Sequence, residues 1–242
     1  MRIQRLWQVI LSIPLGAGLS WTMILGMAWI VPVELWKGSY PLALMAGVAV
    51  LVSLLPAVFR RNYRIVLPWE LEFLVVLQIY LHAFWGAWLG MYDVLPFWDK
   101  ALHLQGTLLV SLLGFLCAYA LHTSGRLRLS GPFIGLFTVV FGNALGAWWE
   151  ILEFAADKIL RQTTQGGLDD TMWDLMYNLG GSLLAAGLGW LYVRYTKPEE
   201  RRRLAKPLAE LVGAWLQARR LRKKRRRAGT TQTATPADPL RD

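Results

Sequence analysis

Seven side chains able to bind protons or metal fall near one end of three successive apolar runs: Asp99, His103, Glu150, Glu153, Asp157, Asp170 and Asp174. Asp99 and His103 stand at i and i+4, one turn apart on one helix face. Glu150, Glu153 and Asp157 follow at i, i+3 and i+7, and Asp170, Asp174 and Asn178 at i, i+4 and i+8. Each run therefore offers one polar stripe, and ionisable groups held in lipid mark a functional site because leaving them unpaired there is expensive. Carboxylates gathered around one imidazole suit a divalent ion, magnesium, manganese or calcium before zinc. The expected donors are Asp99, His103, Glu150, Glu153, Asp157 and Asp170. Such an ion polarises a phosphoryl or carbonyl oxygen and acidifies a bound water, with His103 and Asp174 as the catalytic groups that move the proton. Two other readings stay open: a protonated or ion-paired network without metal, and plain solvation at the membrane interface.

Local electrostatics separates these acids. Asp99 and Asp170 lie in opening turns of their helices, where an acid caps free amides and suits the positive end of the helix dipole. Glu150, Glu153 and Asp157 approach a C-terminal end, where the dipole disfavours negative charge. A cation must compensate them, either a metal ion or one of Lys100, Lys158 and Arg161, read here as exposed. Asp93 and Asp169 belong to the adjoining loop ends. Glu70 and Glu72 follow Pro68 at a helix start, His82 reads as a hydrogen-bonded packing residue, and His122 reads as a loop residue. The sequence holds no phosphate-binding glycine loop, nucleophile elbow or two-histidine zinc-protease motif.

The elements that must carry these stripes are membrane helices. Of 242 residues, 55% are hydrophobic and only 17% charged, too apolar for an ordinary soluble domain and long enough for about six spans of roughly 20 residues each. The expected fold class is all-α, a polytopic bundle of six transmembrane helices. The spans run from Leu6 to Val31, Pro41 to Phe59, Pro68 to Met91, Phe97 to Leu121, Pro132 to Ala156 and Met172 to Tyr195. Met1 to Arg5 resembles the charged flank of a secretory signal, but the apolar stretch continues well past a signal core of about 7 to 15 residues, so it reads as an uncleaved first helix.

Arg2, Arg5, Arg60, Arg61, Arg64, Arg126 and Arg128 sit at the N-terminus and in alternate loops, while the other loops carry only Lys37, Lys100, Lys158 and Arg161. The positive-inside bias puts both termini in the cytoplasm and all three polar stripes at the outer face. Trp29, Trp36, Trp98, Trp148, Trp149 and Trp173 would mark the outer interface, and Trp7, Trp69 and Trp190 the inner one.

Charge is divided unevenly. Residues 1–193 hold 11 basic and 11 acidic side chains, whereas residues 194–242 hold 15 basic and 5 acidic, which accounts for the net +10. The expected organisation is a transmembrane domain over 1–196, a basic amphipathic cytoplasmic helix over 197–227 and a disordered end over 228–242. Leu204, Leu208, Leu211, Val212, Trp215 and Leu216 follow helical spacing between arginine clusters, a pattern suited to anionic lipid headgroups. RNA or ribosome binding competes with this reading, with little aromatic interleaving to support it, and DNA is not expected. Gly86, Gly90, Gly142 and Gly146, with Gly180, Gly181, Ser182, Ala185 and Gly187, form small-residue patterns that let helices pack closely. Cys117 is the only cysteine, so neither an intrachain disulfide nor a thiolate metal centre is available.

Three strings in order, Asp99-Lys-Ala-Leu-His103, Trp149-Glu-Ile-Leu-Glu-Phe154 with Asp157, and Gly167-Leu-Asp-Asp-Thr-Met-Trp-Asp174 with Asn178 and Gly180, resemble the signatures of the YjdF-like family of bacterial inner-membrane proteins. More remotely they resemble the VanZ-like family. The similarity covers about residues 60 to 195. It implies a bacterial cell-membrane location and supports the polar positions without supplying a reaction. The leading functional expectation is a metal-dependent membrane hydrolase or transferase acting on a lipid-borne or cell-envelope substrate at the outer interface. The alternatives are a cation- or proton-binding or transport protein, and a structural membrane protein whose acids form a packing network.

Overall fold

A computed structural model describes residues 15–63, 69–125, 127–161 and 164–197. The beginning of the expected first span and almost all of the basic tail lie outside the described residues. Among those described there is no strand. The helices are α1 (Leu15–Lys37), α2 (Tyr40–Ser53), α3 (Leu55–Tyr63), α4 (Trp69–Tyr80) running into a π-helical segment (Leu81–Trp88), α5 (Met91–Val94), α6 (Trp98–Thr123), α7 (Gly131–Leu160) and α8 (Leu168–Tyr195).

Proline placement explains several boundaries. Pro41 sits in the first turn of α2, and Pro132 in that of α7, where Ser130 Oγ also accepts from Phe133 N at 3.3 Å. A proline there removes only an amide that has no helical partner. Pro56 cannot supply an amide to the turn before it, and α2 gives way to α3 at Leu54. Pro32 behaves differently. The first span was expected to stop at Val31, yet α1 continues through Pro32 to Lys37, which brings Glu34 onto a helix and buries it. The fifth span also overruns its expected end at Ala156 to reach Leu160, and the sixth starts at Leu168 rather than Met172.

Among the described residues, five helical stretches are long and apolar enough to cross a membrane: Gly16–Lys37, Tyr40–Val58, Glu70–Trp88, Trp98–Thr123 and Gly131–Ile159. Where the sixth span was expected there is a helix, α8, whose 28 residues measure about 42 Å at 1.5 Å per residue. Asp169, Asp170 and Asp174 load its opening turns with charge, and α8 falls outside those five stretches. Large apolar side chains such as Leu25, Trp29, Leu51, Val140 and Leu183 stay exposed on the bundle's flanks. Apolar surface on that scale is suited to lipid.

The helices pack as two groups. In the first, α1, α2 and α4 enclose Ile24, Met27, Ala49, Val76 and Ala83. In the second, α6, α7 and α8 pack on one another, with Phe115, Ala118, Tyr119, Ala120 and Ile134 filling the end away from the acids. Glycine sets the separation of α6 and α8: a Cβ at Gly181 would strike the Leu104 backbone carbonyl oxygen. The groups meet where Gln78 Nε2 donates to the Leu102 carbonyl at 3.1 Å and the His82 ring stands edge-on to Trp149 at 5.1 Å. The π-helical segment lies at this seam and ends with Leu89 N donating to the Phe84 carbonyl, five residues back, at 3.0 Å. Insertions of this kind re-aim side chains and are frequent at functional sites.

Candidate functional site: an acid cluster on three helices

At one end of the second group the three stripes meet. α6 contributes Asp99, Lys100 and His103, α7 contributes Glu150 and Glu153, and α8 contributes Asp170, Asp174 and Asn178. His103, Glu150, Asp174 and Asn178 are buried. Donor atoms of Asp99, His103 and Asp174 lie within 4.8 Å of one another, and so do those of His103, Glu150 and Glu153. His103 is common to both triplets and is the centre of the site.

The imidazole is held by its far nitrogen. His103 Nδ1 faces Asn178 Oδ1 at 3.3 Å, and the same oxygen accepts from Thr107 Oγ1 at 2.6 Å. An Asn178 oxygen in that place suits a proton on Nδ1, and Nε2 is the nitrogen that faces the acids. Nε2 stands 3.6 Å from Asp99 Oδ1, 3.6 Å from Glu150 Oε1 and 3.9 Å from Asp174 Oδ1. A neutral nitrogen facing three carboxylates is unfavourable unless a cation lies among them or the ring takes a second proton. A polar partner behind the ring is the arrangement that orients a metal-binding histidine.

Lys100 answers part of the charge problem. Its ammonium bonds Asp170, lies 3.0 Å from Asp99 Oδ2 and 2.9 Å from Asp174 Oδ1, and its side chain is only 15% exposed. This corrects the expectation of an exposed Lys100: its stem crosses from α6 to the start of α8 to pair with acids there. The glutamates have no comparable cation among the described residues. Among the described residues neither oxygen of the buried Glu150 has a hydrogen-bond partner in good geometry, and Glu153 Oε1 accepts from Trp149 Nε1 at 2.8 Å.

The remaining acids are set elsewhere. Asp157 accepts from Thr164 N at 2.7 Å, Thr164 Oγ1 at 2.6 Å and Gln165 N at 2.9 Å, so it holds the loop after α7. Asp170 divides itself between Lys100 and the amide of Gly166, 3.1 Å away, at the head of α8. Asp93 and Asp169 are exposed. Lys158 lies over the Phe154 ring at 5.4 Å.

Two further groups are absent from the spacing argument, and one of them, Tyr92, borders the site. Tyr92, on the short α5, meets His82 Nδ1 at 2.5 Å through its hydroxyl. Burial, and then the nearby charges of Asp99, Glu153 and Asp174, hold the phenol above its ordinary range, which leaves it a proton to donate to the imidazole. Gly86 makes room for the ring, since a Cβ there would collide with it. Glu34 accepts from Lys37 at 2.8 Å and Trp88 Nε1 at 3.0 Å, forming a separate buried carboxylate in the first helix group. The bonding of His82 agrees with its reading as a hydrogen-bonded packing residue.

Comparison with known sequences adds a family. The sequence model described as "Predicted membrane protein (DUF2238)", the YjdF-like family, matches residues 18–195. An uncharacterized protein of Thermotoga maritima is 33% identical over 127 residues, which are 52% of this chain and 65% of that protein. The aligned region thus spans a little under two thirds of this relative. No solved structure matches. The remoter VanZ-like likeness rests on the sequence motifs alone.

Proposed function

Because the chain belongs to the membrane-protein family DUF2238, whose description carries no reaction, we propose a function from the site itself: binding of a divalent cation among His103, Glu150, Glu153 and Asp99. One observation carries this reading. His103 Nε2 faces carboxylates of three helices at 3.6 to 3.9 Å while Nδ1 is committed to Asn178, a spacing that an ion bonded to each side would draw together. The oxygen-rich donors favour magnesium, manganese or calcium over zinc. Lys100 holds Asp174 aimed at the centre, where with His103 it handles the proton of a reacting water. When bound, the cation supplies a Lewis acid for a phosphoryl or carbonyl oxygen.

In this proposal α8 is a sixth span, both termini are cytoplasmic and the site opens at the outer interface of a bacterial inner membrane. The arginine asymmetry supports that orientation. Location then selects the substrate class, a lipid-borne or cell-envelope molecule brought to the site along the bilayer surface. The tail over 197–227 holds anionic headgroups at the opposite face. Lys100 among three aspartates supports a second reading, a metal-free ion-paired network that binds or moves a proton.

Melting of the purified protein in detergent, with chelator or with each ion, separates the two. A ligand stabilises only the state that binds it. The metal reading expects a divalent-ion shift in Tm that Glu150→Gln and His103→Ala each diminish, with bound metal falling in parallel. An unchanged melting curve across magnesium, manganese, calcium, zinc and chelator removes the metal and the enzyme built on it.

A further inference from the structure

The acid cluster holds two sets of cation-binding donors, and a side chain of the protein already fills one of them. Lys100 Nζ donates to Asp170 and, at 3.0 Å, to Asp99 Oδ2, and it stands 2.9 Å from Asp174 Oδ1. An ammonium has three N–H groups. Three carboxylates from α6 and α8 surround this one, which leaves Lys100 little to offer a substrate or a reacting water. The ammonium is enclosed by oxygens as a hard cation would be, and its attachment to α6 gives it a high effective concentration at that place.

The other set has no such occupant among the described residues. His103, Glu150 and Glu153 bring donor atoms within 4.8 Å of one another. The Glu150 side chain is only 6% exposed, with Oε1 3.6 Å from His103 Nε2, and neither of its oxygens has a hydrogen-bond partner in good geometry among the described residues. A buried carboxylate left unbonded calls for a cation or a proton. Asp99 is shared between the sets, with Oδ2 on Lys100 and Oδ1 3.6 Å from His103 Nε2. An ion held instead by Asp99, His103 and Asp174 would share Asp174 Oδ1 with the ammonium and stand beside a like charge, which disfavours it.

We propose that the cluster has two cation positions: Lys100 is the resident cation of the one among Asp99, Asp170 and Asp174, and a single exchangeable divalent ion enters the other, at His103, Glu150 and Glu153 with Asp99 Oδ1 at its edge. The place of the exchangeable ion rests on the cation reading above; the role of Lys100 does not. With Lys100 held by three aspartates, the site offers one Lewis acid and not a metal pair.

Titration of the full chain in detergent with manganese, read by the electron paramagnetic resonance of the free ion, tests both parts. Wild type should hold one ion per chain. Glu150→Gln should weaken binding by more than the roughly tenfold that losing a ligand's supporting hydrogen bond costs, and Asp170→Asn, which belongs to the Lys100 set alone, by less than that. Lys100→Ala should empty the resident position and bind one ion more than wild type, with a larger rise of Tm in manganese, while Lys100→Arg, which keeps the charge, should bind no more than wild type. Equal weakening by Glu150→Gln and Asp170→Asn, or two ions in wild type, overturns the placement. No ion in wild type overturns the cation reading and the placement together, and Lys100→Ala still decides the rest by gaining one ion or none. A Lys100→Ala chain that matches wild type in stoichiometry and in its response to manganese, or a Lys100→Arg chain that gains an ion as Lys100→Ala does, overturns the role of Lys100 as resident cation.

Discussion

The ammonium of Lys100 lies 2.9 Å from Asp174 Oδ1, a carboxylate brought to it by another helix and almost wholly buried. The same ammonium bonds Asp170 and Asp99, so one cation ties the start of α6 to the start of α8.

Removing that cation should therefore cost more than an ordinary surface pair. Lys100→Met leaves three aspartates facing one another with Asp174 out of water, and the expected loss is on the order of 3 kcal/mol, as for a broken buried pair. It is read as a fall in Tm in detergent. Asp174→Asn added to Lys100→Met should restore part of the loss, because residues sharing one network do not act additively. Equal melting of wild type and Lys100→Met would show that Lys100 is not structural.

Two glycines of α8 should respond oppositely to alanine. At Gly181 the added methyl meets the Leu104 backbone, which no rotamer change can move, whereas at Gly187 nothing lies within 4 Å. Gly181→Ala should destabilise by about 1–3 kcal/mol through overpacking. Gly187→Ala should be neutral or stabilising by up to about 1 kcal/mol, since alanine favours the helix. Thermal melting of both variants decides, and similar losses at the two sites would contradict the packing described.

How far the sequence disclosed this arrangement depended on what periodicity can encode. Apolar runs bounded by proline and charge located the helices, and the spacing of Asp99 with His103 and of Asp174 with Asn178 located shared faces. The apolar pattern does not record a π-helical turn, so the aim of His82, next to Tyr92, was not legible. Pro32 read as an end although a helix can tolerate it, and that hid Glu34. Asp157 keeps the spacing of Glu153, yet the returning loop offers it amides that it bonds instead. Lys100 was one of three candidate cations. Its selection depends on the separation of α6 and α8, which Gly181 sets and linear spacing cannot show.

Topology has a direct assay. With Cys117→Ser as background, Gln165→Cys should be labelled by an impermeant thiol reagent in intact cells and Ser124→Cys should not. Labelling at Ser124→Cys alone reverses the proposed orientation.

The tail, which lies outside the described residues, is tested as a peptide. Residues 199–227 should bind anionic vesicles with on the order of 1 kcal/mol per arginine or lysine near the surface, and should leave as salt screens the attraction. Binding neutral vesicles equally well in high salt would remove the electrostatic account.

The π-helical turn at Leu81–Trp88 gives one continuous rod two allegiances. Before it, Gln78 bonds the Leu102 carbonyl in the second helix group; at its end, Trp88 bonds Glu34 in the first. A uniform α-helix would advance about 100° per residue through this stretch, and the wide turn resets that phase. Deleting one residue here is then a twist of the shaft more than a shortening of it, turning Trp88 and its C-terminal neighbours away from their partners while the part before the deletion keeps its grip. Tolerance to insertion and deletion should accordingly be lower in this stretch than its apolar composition suggests.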